Sequence, residues 1–389
     1  MADVKTSDVF ELLRDGSPKT RAELARSTGL ARSTIAARID TLIRLGLVAP
    51  YGDAVSTGGR PPSLLALNPT ARVVVGVDLG ATHARAVLTD LSGRILAEER
   101  EDLDIAEGPE KVLGWVTRTV RSLLRREKRR IADLAAIGIG LPGPVEHATG
   151  RAINPPIMPG WDRYDVPARV RRDLDVPVLI DNDVNIMALG EKHAHFPDVD
   201  DLVFIKVSTG IGAGIISGGS LQRGAMGTAG DVGHVRLRRA DGVACRCGNE
   251  GCLEAVAASP ALTAELRSVG EDVHSGSDVV DLVRSGNVAA IQVVRQAGRD
   301  MGEVVAMVVN FINPSVVVVG GALSAAGEHL IAGIRETVYQ RSLPLATEHL
   351  RIVPSAAGER AGVIGAAAMA ISHVLSPEEI ERASLALQG

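Results

Sequence analysis

The sequence predicts an α/β protein in which an N-terminal winged helix-turn-helix precedes a larger, two-lobed α/β body. Three observations carry this expectation. Near the N-terminus, two short helical patterns meet at a glycine turn and run on into a pair of short strands. Further along, two glycine-rich strand-turn-strand hairpins lie more than a hundred residues apart, as a duplicated fold would place them. Between positions 234 and 252, one histidine and all three cysteines of the chain are gathered at metal-ligand spacing. A length of 389 residues favours two or three domains. The boundary is expected near residue 70, with 1–70 as the head and 71–389 as the body.

In the head, Val9, Phe10, Leu12 and Leu13 are the apolar positions of a helix expected over residues 5–14, closed by Gly16. Thr20-Arg21-Ala22-Glu23 has the form of a capping box and opens a second helix that stops at Gly29. A third helix places Ile35, Ile39 and Leu42 on one face, which leaves Arg32, Ser33, Thr34 and Arg38 to project from the others. A helix that is polar at its start suits the reading of a major groove. Segments 47–50 and 63–67 then read as strands around the polar loop Gly58-Gly59-Arg60-Pro61-Pro62. Such a ribbon can approach the DNA backbone closely, with Arg60 entering a narrow minor groove. Arg32, Ser33, Thr34, Arg38 and Arg60 are therefore candidate DNA contacts. A three-helix interaction or dimerisation module is the alternative.

Composition narrows the partners. Only 2% of residues are aromatic, so the chain lacks the stacking platforms of single-strand and RNA binders, and duplex DNA is the expected nucleic acid. The net charge of -5 is unevenly placed: residues 1–70 hold nine Lys and Arg against seven Asp and Glu, a basic head on an acidic remainder. No apolar run reaches about 18 residues, and the start of the chain lacks a basic-then-apolar export pattern. A cytoplasmic protein without a membrane partner is expected, and three cysteines grouped as ligands fit a reducing compartment.

In the body, Asn68-Pro69 ends the wing and a buried strand begins at Val73. It leads through Asp78-Leu79-Gly80-Ala81-Thr82 to a second strand over 84–88. Turn N–H groups of this kind can receive phosphate while the aspartate orients a hydrated magnesium ion. A related unit recurs as strand 204–207 followed by Ser208-Thr209-Gly210-Ile211-Gly212-Ala213-Gly214. Asp78, Gly80, Thr82, Thr209, Gly210 and Gly212 are the candidate phosphate residues. A third turn after strand 316–319 offers the bare backbone of Gly320 and Gly321 to an adenosine. Between the hairpins, strand 178–182 ends in Asp181-Asn182-Asp183-Val184-Asn185, ahead of a helix expected over 186–192. Asp183, at a strand end facing a cleft, suits a general base toward a hydroxyl that attacks a phosphoryl group. Capping of the helix by Asp181 or Asp183 is the alternative. His234, Cys245, Cys247 and Cys252 match the ligand set of a closed, structural zinc site; three incidental thiols in a loop are the alternative.

Together, Asp78 to Thr82, Leu141-Pro142-Gly143-Pro144, Pro159-Gly160-Trp161, Asn182 to Asn185, Gly233-His234, the cysteine knot and Gly320-Gly321 make the chain resemble the ROK family, named for repressors, open reading frames and kinases. The likeness covers roughly residues 72–372. With the winged head in front, it is similar to the branch of bacterial repressors that govern use of xylose, N-acetylglucosamine and glucose. The resemblance implies an actin-like, ribonuclease H-like pair of lobes in a homodimer or homotetramer. It implies zinc on His234, Cys245, Cys247 and Cys252, and sugar contacts from Asn182, Asp183, Asp231, His234 and Glu254, with Asp183 in the kinases' base position. Three departures stand out. Asp231 replaces a usual glutamate, Ile157 a frequent asparagine, and Ala81 and Ser208 replace glycines of the nucleotide turns. A methyl at a turn needing positive φ or close approach to phosphate is unfavourable, so a weakened ATP and Mg2+ site is expected.

The expected function is a sugar-responsive, DNA-binding transcriptional regulator of carbohydrate metabolism, with an operator duplex and a sugar or sugar-phosphate effector as partners. An ATP-dependent, glucokinase-like sugar kinase with an accessory DNA-binding head is the alternative, and a sugar-binding scaffold is a third. Segment 376–387 reads as an amphipathic helix with Ile380, Ala383 and Leu387 on one side; its packing partner is left open.

Overall fold

A computed structural model describes residues 4–53 and 63–387. Arg60 lies outside the described residues, so its expected place in the wing has no structural counterpart here.

The head is built by helices Thr6–Glu11, Arg21–Thr28 and Arg32–Arg44 and by a small antiparallel sheet of Lys19–Thr20, Ser63–Leu67 and Val48–Asp53, in that spatial order. Its core is apolar and closed: Val9, Phe10, Leu13, Leu24, Ile35, Ile39 and Leu42 are fully buried. The capping box forms as its residues dictate. Thr20 Oγ1 accepts the Glu23 N–H at 3.2 Å, and the Glu23 carboxylate accepts the Thr20 N–H at 2.7 Å. Gly29, at φ 71°, ends that helix in the left-handed cap expected of glycine. The first helix is shorter than the expected 5–14. After Glu11 the Leu13 N–H reaches only three residues back to Phe10, and Asp15 accepts the Ser17 N–H at 2.8 Å, a local turn that competes with another helical turn.

The body is a duplication. Its first sheet runs Val178–Asn182, Leu134–Leu141, Val73–Leu79, Ala84–Asp90, Ile95–Glu101. The second runs Arg351–Pro354, Val316–Gly320, Leu202–Val207, Ile211–Ser217, Ser220–Gln222. Each is a three-stranded antiparallel meander extended by two strands parallel to its first. This is the actin-like, two-lobed architecture.

Two helices knit the lobes together. Asp183–His195 leaves the first sheet and packs Val184 and Ala188 against Leu202, Phe204 and Ile216 of the second, while Ala361–Val374 packs Val363 and Ala367 against the first. They cross in backbone contact: a Cβ on Gly190 would lie 1.9 Å from Ala361 O, and one on Gly365 only 1.6 Å from Ile186 O. Any side chain at either position would push the lobes apart. The first of these helices begins three residues earlier than expected, at Asp183, because Asn182 supplies its cap by accepting the Val184 N–H at 2.9 Å. Neither Asp181 nor Asp183 is the cap residue.

The C-terminal helix, Pro377–Ala386, returns to the head. Glu381 Oε1 accepts the Ser7 N–H at 2.8 Å at the start of helix Thr6–Glu11. Its buried positions are Ile380 and Ser384; Leu387, expected on the same side, is exposed, because the helix ends at Ala386 and Leu387 is its C-cap. The head core, the face of the first sheet that carries helix Ala361–Val374, and Ile380 form one apolar cluster. Among the described residues no helix is long and apolar enough to cross a membrane.

Candidate ligand cleft and metal centre

Between the lobes lies a cavity of about 580 Å³. That volume falls in the range of sites for small molecules. The first lobe contributes the Pro142-Gly143-Pro144 turn, Asn154, Ile157, Asn182 and Asp183; the second contributes Lys206, the Thr209 to Ala213 turn, Asp231, His234 and Glu254. All five residues named as sugar contacts therefore meet at one cavity. Asn182 is fixed at both ends: its Nδ2 donates to Gly143 O at 2.8 Å while its Oδ1 caps the crossing helix. Glu254 Oε2 accepts the Ile211 N–H at 3.0 Å, which ties the loop after the cysteine knot to the second hairpin. Asp231 is more than half exposed at the rim, 3.8 Å from His234 Nε2. Ile157 lines the wall as expected, and Asn154, in left-handed backbone at φ 45°, brings an amide to the cavity nearby.

Lys206 and Arg223, two partly buried cations in or beside this cavity, were not among the candidate residues. Lys206 projects from strand Leu202–Val207, and its ammonium forms a close ion pair with Asp183, which is 6% exposed. Burial works against that ammonium, but Asp183, with Asp78 and Glu254 behind it, holds its pKa above the ordinary lysine value. The signal in the sequence was a single cation inside an apolar strand. Arg223, at the end of the second lobe's meander, donates Nε to Asp181 at 2.7 Å across the cleft. Asp181 is 2% exposed and also accepts Asn185 Nδ2 at 2.8 Å, while His147 Nδ1 stands 3.6 Å away.

The knot brings together one ligand atom each of His234, Cys245, Cys247 and Cys252, all within 4.8 Å of one another. Cys247 Sγ and Cys252 Sγ are 3.8 Å apart, and Cys245 Sγ is 3.7 Å from His234 Nδ1. A tetrahedral zinc shell with ordinary Zn–S and Zn–N bonds has edges of about 3.8 Å and about 3.6 Å for such pairs. The donor set thus fits a tetrahedral metal ion. Burial raises the Cys252 thiol, whereas the Asn249 backbone N–H lowers that of Cys247. Because Nδ1 faces the thiols, His234 Nε2 is left toward the cavity, so one ring can serve both metal and ligand.

The nucleotide residues are only partly assembled here. Thr209, Gly210 and Gly212 line the cavity; Asp78, Gly80, Thr82, Gly320 and Gly321 do not. The Asp78 carboxylate abuts Gly362 in the first turn of helix Ala361–Val374, where the helix dipole favours an anion. The His83 imidazole covers Gly80 and lies 3.9 Å from Asp78. Gly320 is bare because the Phe204 ring packs on it, and Gly321 because the Val207 carbonyl does, which accounts for both glycines without an adenosine. The backbone-strain part of the argument against ATP does not hold. Neither Ala81 nor Ser208 is in left-handed backbone, since no residue of either turn, glycines included, has a positive φ.

On the head, Arg32 and Ser33 are exposed and Thr34 half-buried at the start of the third helix. Arg38 is not free as expected. It leans on the first helix, with Nη1 3.5 Å from Thr6 Oγ1 and Nε buried without a partner among the described residues. Ser33, Thr34, Ala37, Arg38 and Thr41 border a shallow hollow on this surface.

Residues 74–373 match the model of the ROK family, and residues 4–50 that of the IclR helix-turn-helix domain. The chain is 32% identical over 382 residues to a xylose repressor of Caldicellulosiruptor bescii, covering 95% of each. Among solved structures, it is similar over 98% of both chains, at a TM-score of 0.83 and 26% identity, to a ROK family transcriptional regulator described as a homologue of the E. coli MLC protein. A ROK hexokinase from Thermus thermophilus is similar over 78% of this chain and 99% of its own, at a TM-score of 0.67 and 32% identity.

Proposed function

The chain belongs to the ROK family, and we propose that it is a sugar-responsive, DNA-binding transcriptional repressor of carbohydrate-use genes. Residues 1–70 form its winged head and residues 71–389 its sensing body. It acts in the cytoplasm as a homodimer or homotetramer, because paired heads suit paired half-sites. A structural zinc ion on His234, Cys245, Cys247 and Cys252 stiffens the loop that presents His234 and Glu254 to the sugar. Arg32, Ser33 and Thr34 read the operator.

The observation that carries this reading is the joining of a cavity, in which the polar side chains of Asn182, Asp183, His234 and Glu254 converge, to a helix-turn-helix head in one chain. Carboxylates and amides held from two lobes suit a ligand that offers several hydroxyls. A continuous route supports the coupling. Asp183 begins the helix that crosses Ala361–Val374, and that helix runs on into the one seated on the head. Sugar binding alters DNA affinity only if the two lobe arrangements bind sugar unequally.

The test is a thermal-shift screen of pentoses, hexoses and amino sugars, followed by operator binding with each hit. At least one sugar should raise the melting temperature and also change DNA affinity. A panel that leaves both unmoved removes the reading. Catalysis is the second reading, favoured by the glycine turn Thr209 to Gly212 beside Asp183 and by the likeness to a hexokinase. Our reading has no turnover, so a coupled ADP-release assay across the same panel should stay at background. Turnover abolished by Asp183→Asn would instead establish a kinase.

A further inference from the structure

Resting on the reading of the cleft as a sugar sensor, we infer that Lys206 is a built-in counterion that takes Asp183 out of service as a base and makes the pocket select neutral, unphosphorylated sugars over their phosphate esters. The first part follows from geometry. Lys206 faces Gly212 on one neighbouring strand and Gly320 on the other, so no side chain fends its stem away from the cleft. It crosses from the second lobe to the Asp183 carboxylate at the head of the first lobe's exit helix. For Asp183 to take a proton from a sugar hydroxyl, its carboxylate would have to give up its charge beside the buried ammonium, which would lose its paired anion. Phosphoryl transfer needs the opposite arrangement, a free carboxylate on the hydroxyl and a cation on the phosphate.

The second part follows from the charges that surround the site. Asp78, Asp183 and Glu254 all act on Lys206, and Asp231 stands at the rim. Against the three carboxylates that line the cavity, Asp183, Asp231 and Glu254, there are Lys206, already engaged by Asp183, and Arg246, an exposed rim residue of the cysteine loop. A phosphate group entering this cleft meets net negative charge and must compete with Asp183 for the ammonium. A neutral sugar meets acceptors for its hydroxyls and leaves the pair intact. Exclusion by like charge is a common device of specificity.

The experiment is calorimetric titration of the full chain with aldoses and amino sugars and with the matching phosphate esters, using inorganic phosphate as a control. The wild type should bind a neutral sugar at least about tenfold more tightly than its ester. In Asp183→Asn the ammonium is released, and the ratio should shift toward the ester by about tenfold or more. In Lys206→Met the ester should bind more weakly still. The wild-type ratio alone decides if either variant fails to fold. An ester that binds the wild type as tightly as the neutral sugar, and loses that affinity in Lys206→Met, would make Lys206 a phosphate ligand and overturn the inference while leaving the sensor reading in place. A chain that binds neither sugars nor esters overturns both.

Discussion

Arg223 and Asp181 meet across the cleft at 2.7 Å, and their pairing shows how much of the lobe arrangement rests on single residues. Asp181 is almost wholly buried, and its carboxylate is met there by Arg223 and Asn185. Replacing Arg223 by Met leaves a buried carboxylate with its main cation gone, and breaking such a pair costs roughly 3 kcal/mol. Urea denaturation should show a loss of that size in Arg223→Met, and an unchanged midpoint would mean the pair carries no stability. At this scale the sequence was informative where residue types form a motif. Asn182, Asp183, His234 and Glu254 meet at one cavity, as the family resemblance implies. Lys206, Arg223 and His83 were not legible, because what each side chain meets depends on strand register and on the closure of two lobes that are distant in the chain. Arg38 shows the same limit: helical spacing exposed it, and packing on Thr6 drew it in.

At the scale of elements, the duplicated hairpins, the capped helices of the head and the last helix were readable from periodicity and caps. Their ends were less so, since Asn182 starts its helix earlier than the apolar pattern suggests. The second helix offers a direct test of capping. The Thr20 backbone N–H and hydroxyl hold the Glu23 carboxyl below the usual carboxylate range. A depressed folded value means its contribution is fully present above the ordinary glutamate value, near 4.5, and is lost as pH falls through the folded one. Thr20→Ala should lower stability at neutral pH by about 1 kcal/mol. It should also flatten the acid limb of the stability profile of the head, as followed by amide exchange in helix Arg21–Thr28. An acid limb identical to that of the wild type would show that the box contributes nothing.

For the whole molecule, the account joins three parts: a metal knot that orders one wall of the cleft, two crossing helices that share backbone contact, and a C-terminal helix that seats on the head. Metal content is expected to be a single equivalent of zinc per chain. Stripping it, or replacing Cys247 by Ser, should weaken sugar binding at least about tenfold, the scale on which metal-centre support acts. Operator binding in the absence of sugar should persist, because the head core does not include the knot. Sugar affinity that survives complete removal of the metal would separate the knot from the pocket.

The most direct measurement is the affinity of the full chain for duplex DNA that it selects from a random-sequence pool, read by fluorescence anisotropy with and without the sugar that best stabilises the protein. Coupling between sites in such proteins is typically about 1–3 kcal/mol. The account predicts that saturating sugar weakens the grip on DNA at least about fivefold, and that the same DNA weakens sugar binding by an equal factor. A sugar that binds tightly yet leaves DNA affinity unchanged would contradict it.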